Sequence, residues 1–340
     1  MKIAYIASNG LGDGVIQSLI AQNISKLGHE VTYYHDLIGQ LAPIFTKLEV
    51  ALASSLTTTS MADFDWLLID KGYKGLEAIQ RNLALSKKAV IFSMSKTKPH
   101  KKQINSVLFN APVTGENKFL HKFNGACIRS NKHWSKESVA SQSINIFRGE
   151  ASPSVPDARL SLSIPEEWYQ KKAGQRVLIH PKSSSESKNW PANNYIQLAE
   201  LIREFGLDPV FTMAPSELDA WSREKGAENF KCEVFDSIYD LAKFYFRSSL
   251  FIGNDSGNGH LASLLDLPTI TVYHKAKGHF PWRPSWGENT IIKPSFLYGL
   301  IGSGLWKKSI TTKQVYQSVM PMLVALQQMV QEENEIKPSE

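Results

Sequence analysis

The chain has 340 residues, 42% of them hydrophobic and 21% charged, with a formal net charge of +6; this length suits two domains with a core each, and this composition excludes a disordered protein. Cys127 and Cys232 lie far apart with no CxxC or His-rich partner, which argues against a disulfide framework or a zinc site and fits a reducing, cytoplasmic compartment. The apolar run at the amino terminus ends at Ser8-Asn9-Gly10, too short for a membrane span or a signal-peptide core.

In chain order, short apolar runs alternate with amphipathic stretches, the pattern of a parallel sheet with crossover helices. It predicts a strand over Lys2 to Ala7, a helix over Gly14 to Leu27 and a strand over Glu30 to Tyr34. A strand over Trp66 to Asp70, a helix from about Gly75 to Ala84 and a strand over Ala89 to Ser93 follow. Trp66-Leu67-Leu68-Ile69 and Ala89-Val90-Ile91-Phe92 are unbroken apolar runs, as parallel strands buried on both faces should be. Pro153, Pro156 and Pro165, with serines between them, mark a linker. After it the pattern restarts, with strands over Arg176 to Ile179, Pro209 to Met213, Leu250 to Ile252 and Thr269 to Tyr273. Helices are expected over Pro191 to Phe205, Ser216 to Lys225, Ser237 to Arg247 and Ser256 to Leu265. The last element, roughly Thr311 to Gln331, has Pro321 in its interior and is expected to be kinked or broken. The architecture expected is α/β with two doubly wound Rossmann-like domains, residues 1–155 and 165–310, and a helical tail over 311–340.

Charge is unevenly spread: Ser86 to Lys136 holds eleven lysines and arginines against one acid, Glu116. Such a block creates a positive field for an acidic glycolipid, a membrane surface or a nucleic acid, and is equally what a solvated basic face looks like.

Three stretches could carry chemistry. In Phe251-Ile252-Gly253-Asn254-Asp255-Ser256-Gly257-Asn258-Gly259-His260 an apolar strand passes through a polar turn into a helix, whose open N–H groups and positive dipole end suit a diphosphate. Gly257 lets a ligand approach the backbone, and Ser256 and His260, four apart, share a helical face; Asp255 equally suits a plain helix cap. Second, Val177-Leu178-Ile179 leads into His180-Pro181-Lys182-Ser183-Ser184-Ser185 and then Lys188-Asn189-Trp190-Pro191. That loop lies at the carboxyl end of a strand, where open parallel sheets bind ligands, although a Ser-rich loop also suits a plain surface turn. Third, Ser8-Asn9-Gly10-Leu11-Gly12-Asp13-Gly14 departs from GxGxxG, and Asp13 would repel a pyrophosphate. A carboxylate there suits a general base for an incoming hydroxyl, or the N-cap of the following helix.

Taken in order, Gly10-Leu11-Gly12-Asp13 after a first strand, His180-Pro181-Lys182-Ser183-Ser184 with Lys188-Asn189-Trp190-Pro191, and Asn254-Asp255-Ser256-Gly257 with His260-Leu261-Ala262 resemble glycosyltransferase family nine, the ADP-heptose lipopolysaccharide heptosyltransferases. The resemblance spans roughly Met1 to Pro284 and is firm at those three places. It implies a GT-B architecture, two doubly wound domains facing an inter-domain cleft, with the acceptor bound by the first and the nucleotide sugar by the second. It also implies inverting transfer without a metal, with Asp13 as the base. Ser183, Ser184 and Lys188 are implied to bind donor phosphate, and Asp255, Ser256, Gly257 and His260 to hold diphosphate and sugar. An anionic glycolipid is the expected acceptor, with Lys71, Lys74, Lys98 and Arg129 as candidate contacts. The basic block would hold the protein at the cytoplasmic face of an inner membrane with no anchor.

No metal, cofactor or nucleic acid is expected. Asp63-Phe64-Asp65 matches the DxD pattern by which some glycosyltransferases hold a cation, but it lies at the amino end of a strand, away from where ligands gather. The lysine block lacks interleaved aromatics apart from Phe109, Phe119 and Phe123, and single-strand binding needs stacking platforms. Two departures from the family pattern bear on the sugar: Gln17-Ser18-Leu19 stands where a proline is usual, and Tyr273-His274 replaces a strand-terminal glycine. Competing readings are a nucleotide-sugar epimerase on the same fold and a non-catalytic protein that binds a nucleotide sugar or nucleic acid.

Overall fold

The computed structural model describes residues 1–94, 97–128, 138–147, 156–169, 175–275, 282–295 and 305–336. The chain divides into two units, Met1–Ile164 and Pro165–Glu340, and each is built round one parallel sheet.

In the first unit β1 (Lys2–Ile6), β2 (Glu30–Tyr34), β3 (Glu49–Ala51), β4 (Trp66–Asp70) and β5 (Ala89–Phe92) lie in the order β3-β2-β1-β4-β5. Its helices are α1 (Leu11–Lys26), α2 (Thr58–Ala62), α3 (Leu76–Arg81), α4 (Leu83–Lys88), α5 (Ser106–Asn110), α6 (Lys118–Phe123) and α7 (Val139–Ile144). β1 is the central strand, paired with β2 on one side and β4 on the other, and Ile3 to Ile6 are fully buried. Strand order reverses between β1 and β4, the place where such a sheet opens a crevice at its carboxyl ends.

α1 starts at Leu11, three residues before the expected Gly14, with Gly10 as N-cap and the Gly14 N–H bonded to Gly10 O at 2.8 Å. Asp13 therefore sits inside the first turn and is not the N-cap. A carboxylate is favoured there by the helix dipole, which offsets the weak helix propensity of the flanking glycines. Gly14 to Ile24 are buried, because β-strands lie under α1, α7 packs against it, and residues 157–161 bond to its last turns. Gln22 Nε2 donates to Asp157 Oδ2 and to Arg159 O, both at 3.0 Å, and Lys26 pairs with Asp157 at 2.5 Å. The helix expected over Gly75 to Ala84 is two, α3 and α4. It breaks at Asn82, whose Oδ1 accepts from the N–H groups of Ala84 (3.0 Å) and Leu85 (3.1 Å) and so starts a new helix rather than extending the old one.

The second unit holds β6 (Arg176–His180), β7 (Asp208–Met213), β8 (Lys231–Val234), β9 (Leu250–Asn254), β10 (Thr269–Val272) and β11 (Asn289–Ile292), ordered β11-β10-β9-β6-β7-β8. Its helices are α8 (Glu166–Tyr169), α9 (Ala192–Glu204), α10 (Pro215–Trp221), α11 (Ile238–Phe246), α12 (Gly257–Leu264), α13 (Trp306–Ser309) and α14 (Thr312–Ile336). Here the order reverses between β6 and β9. The edge strands β8 and β11 are unannounced by any apolar run, being only half buried and carrying Lys231, Glu233, Asn289 and Thr290. α14 runs through Pro321 as one helix. Val315, Val319 and Leu323 on either side of the proline are fully buried against Tyr195, Leu198 and Ile202 of α9; that packing outweighs the loss of one N–H bond.

Candidate active site

Each unit gathers its chemistry-bearing residues at its own point of strand reversal. In the second unit these are the loop after β6, which carries Pro181 to Pro191, and the turn from β9 into α12. Asn254, the last residue of β9, ties the two together. Its Oδ1 accepts from the Trp190 N–H (3.0 Å) and the Tyr195 hydroxyl (2.9 Å), while its Nδ2 donates to Pro181 O (2.7 Å). Trp190 is buried and donates from its ring to Ile310 O at 2.9 Å, which pins the loop from below. Asn254→Ala leaves buried donors and an acceptor unpaired and should destabilise the protein by about 2–4 kcal/mol. Urea unfolding measures this, and a loss below about 1 kcal/mol would mean that water takes over these bonds.

α12 opens on Ser256, an N-cap whose side chain makes no capping bond. Neither it nor Asp255 does the plain capping job. Among the described residues, Ser256 Oγ, Asn258 Oδ1 and His260 Nδ1 are buried with no hydrogen-bond partner, and they crowd the first turn, where the N–H groups, that of Gly257 first, lack intrahelical acceptors. Three unsatisfied polar atoms beside a helix start are what a polar ligand would complete. Burial pushes His260 down to about 4 against the opposing charge of Asp255, so the imidazole is neutral at pH 7 and brings a hydrogen bond rather than a charge.

Lys188 Nζ lies 3.6 Å from Asp255 Oδ2 at this turn. Tyr273 stands beside Asp255 and donates to Trp282 O at 2.6 Å, with burial first and the Asp255 charge second in keeping its phenol protonated. The departure at Tyr273 thus touches the Asp255 turn directly. In the loop after β6 the Ser183 hydroxyl lies 2.7 Å from Asn189 Oδ1 and 3.0 Å from Ser185 O, so it faces into the loop, whereas Ser184 is exposed.

His180 and Asn258 form a link absent from the sequence-derived site residues. His180 Nδ1 donates to Thr212 O (2.7 Å), which leaves Nε2 to accept from the Asn258 amide (2.9 Å). The bond fixes which way the amide points and leaves Asn258 Oδ1 as an open acceptor. A buried histidine at a strand end was the only sequence signal.

In the first unit, Asp13 lies on the first turn of α1, and a Cβ on Gly10 would come within 2.9 Å of its Oδ2. His35 braces the turn: Nδ1 accepts from the N–H groups of Leu37 and Ile38 (both 3.1 Å), so Nε2 donates to Gly10 O (3.2 Å). Burial holds this imidazole neutral. Gln17, at the other departure, reaches back to Ser8 Oγ at 2.9 Å. Lys71 and Lys74 follow β4 on the neighbouring loop, where the Lys74 N–H meets Asn9 Oδ1 at 3.4 Å. Lys98 is exposed beyond β5, and Arg129 lies outside the described residues. Two members of the basic block have structural work: Lys88 Nζ donates to Ala62 O (2.6 Å) and Phe64 O (2.7 Å), and Lys122 Nζ to Ile146 O (2.9 Å).

Asp63-Phe64-Asp65 forms the turn into β4, with Asp65 Oδ2 accepting from the Lys2 N–H at 2.6 Å. Among the described residues no three or more His, Cys, Asp and Glu side chains gather as a metal site, and no helix is long and apolar enough to cross a membrane.

Comparison with known proteins agrees with this geometry. The family model for glycosyltransferase family 9 (heptosyltransferase) matches residues 64–293. Lipopolysaccharide heptosyltransferase 1 of Campylobacter coli is 25% identical over 297 residues, covering 80% of this chain and 84% of that protein. Among solved structures, Escherichia coli ADP-heptose LPS heptosyltransferase II superposes with a TM-score of 0.65 at 13% identity, over 96% of this chain and 99% of the other. E. coli heptosyltransferase WaaC, solved with ADP-2-deoxy-2-fluoro heptose, superposes at 0.60 and 16% identity, over 94% and 99%. With two doubly wound α/β units of the GT-B class and a family match across two thirds of its length, the chain belongs to glycosyltransferase family 9, the heptosyltransferases.

Proposed function

We propose that the protein transfers a heptose, or a closely related sugar, from ADP-heptose to the core of a lipopolysaccharide acceptor, with inversion and without a metal. The observation that carries this reading is the first turn of α12, where Ser256, Asn258 and His260 present unpartnered buried atoms next to Lys188. Support for the donor comes from WaaC, a protein of the same fold solved with an ADP-heptose analogue, and support for the acceptor from the curated lipopolysaccharide heptosyltransferases.

In the proposed reaction Asp13 removes the proton of the acceptor hydroxyl as that oxygen attacks the anomeric carbon. The bond from that carbon to the diphosphate breaks, and ADP leaves with the electron pair. Because His260 is neutral, the growing negative charge falls to Lys188, the α12 N–H groups and the Ser256 hydroxyl. Lys71, Lys74, Lys98 and Arg129 are assigned to the anionic acceptor, and the exposed lysines Lys87, Lys101 and Lys102 to loose attachment at the cytoplasmic face of the inner membrane.

Thermal unfolding with ADP-heptose, ADP, and UDP- and GDP-sugars tests the donor. A hundredfold excess of ADP-heptose over its Kd should stabilise the fold by about 2.7 kcal/mol, with smaller shifts for the other bases. Absence of a shift with every nucleotide sugar would overturn the donor site, and turnover that disappears with EDTA would overturn the metal-free route.

A further inference from the structure

A second carboxyl lies at the strand reversal of the first unit. Asp70 is the last residue of β4, and its side chain is 3% exposed. Alternation along β4 puts it on the same face as Leu68, which lies opposite Tyr5, itself opposite Tyr33. That face is the one α1 covers, since the Tyr33 hydroxyl donates to Gly14 O (2.7 Å) and the Tyr5 hydroxyl reaches Gln17 Oε1 (3.4 Å). Both phenols are committed to α1. Asp70 Oδ1 accepts from the Gly72 N–H at 2.7 Å, while Oδ2 is buried and has no hydrogen-bond partner among the described residues.

The ionisable groups coupled to this carboxyl through space are Tyr5 of β1, Tyr33 of β2, Asp13 of α1 and Lys71 on its own loop. Burial, chiefly, pushes Asp70 up to about 6 from an ordinary 3.8; the Gly72 N–H bond, the nearby but unbonded Met94 N–H and the Lys71 charge oppose this, and the Asp13 charge adds to it. An ionised, half-unsatisfied carboxylate in a protein core is costly, and no ion pair offsets it among the described residues.

We propose that Asp70 is a positioning residue for proton removal on the acceptor side: anchored through Gly72 on the face that α1 covers, its carboxylate makes Asp13 a stronger base through space. Two carboxyls that share a site repel a second negative charge, and the repulsion is relieved when one of them takes a proton. The acceptor's proton, taken by Asp13, is the one that relieves it. The proposal rests on Asp13 being the base.

Two measurements test it. Carboxyl NMR titration of the unliganded protein should place Asp70 near pH 6 in the wild type and lower by about half a pH unit or more in Asp13→Asn. In Asp70→Asn the acid limb of kcat/KM should move down by about one pH unit, and its value at neutral pH should fall roughly threefold to tenfold. Folding of that variant is checked by melting temperature. Between 3.8 and about 6 the folded wild type keeps a proton that the unfolded chain has lost, so its stability falls as pH rises through that window. Asp70→Asn should therefore melt higher than the wild type above pH 6 and lose that advantage toward pH 4. An Asp70 midpoint unmoved in Asp13→Asn overturns the coupling whatever the activity. An unmoved acid limb in folded Asp70→Asn overturns the positioning role. Wild-type turnover in Asp13→Asn overturns the base assignment instead, and the NMR midpoint tells that failure from absent coupling.

Discussion

Lys188→Ala is expected to lower turnover with ADP-heptose on the order of a hundredfold or more, the usual effect of removing one preorganised group from a site of developing charge. The expectation is large because Lys188 brings to the turn a charge that His260 does not. His260, which could have shared the burden as an imidazolium, is held neutral by burial, and Lys188 is the cation paired with Asp255 at 3.6 Å. Its removal also leaves the Asp255 carboxylate unbalanced beside an incoming diphosphate, so donor affinity should fall along with kcat. Steady-state kinetics with saturating acceptor separate the two effects, and Lys188→Arg should restore part of the affinity because the charge is kept. Transfer at the wild-type rate by Lys188→Ala would remove this residue from the site.

Asp13→Asn should be more damaging still, by roughly 10² to 10⁴ in kcat, the range for loss of a general base. The amide keeps the size of the side chain and the first turn of α1, so donor binding, measured by thermal shift, should stay close to wild type. That contrast is the diagnostic part. A variant that loses donor binding as well would point to a damaged fold. One that keeps turnover would return Asp13 to a plain helix-dipole role, for which its place in the first turn is also well suited.

The sheet architecture was largely legible in the sequence, because strands buried on both faces must be apolar along their length. The strands expected over Lys2 to Ala7, Trp66 to Asp70, Ala89 to Ser93 and Leu250 to Ile252 all stand out on that ground, and each is found within a residue or two of those bounds. The edge strands β8 and β11 do not, since an edge is only half buried and tolerates Lys231, Glu233 and Asn289. Helix ends were harder. A turn of three glycines around Asp13 reads as a loop by propensity, and the break at Asn82 depends on one side chain finding two N–H groups.

For the site, motif order in the sequence by itself determined the family resemblance and brought Asp13, Lys188 and the Asp255 to His260 turn into view, because a helix start after a buried strand is a recognisable local object. Only the tertiary structure decided what each group can do there. The neutral state of His260, the inward turn of the Ser183 hydroxyl, the His180–Asn258 bond and the buried Asp70 beside α1 all depend on neighbours distant in the chain. Protonation and hydrogen-bond capacity are set by burial and by the nearest charges. Those are properties of the packed fold, and no local run of residues encodes them.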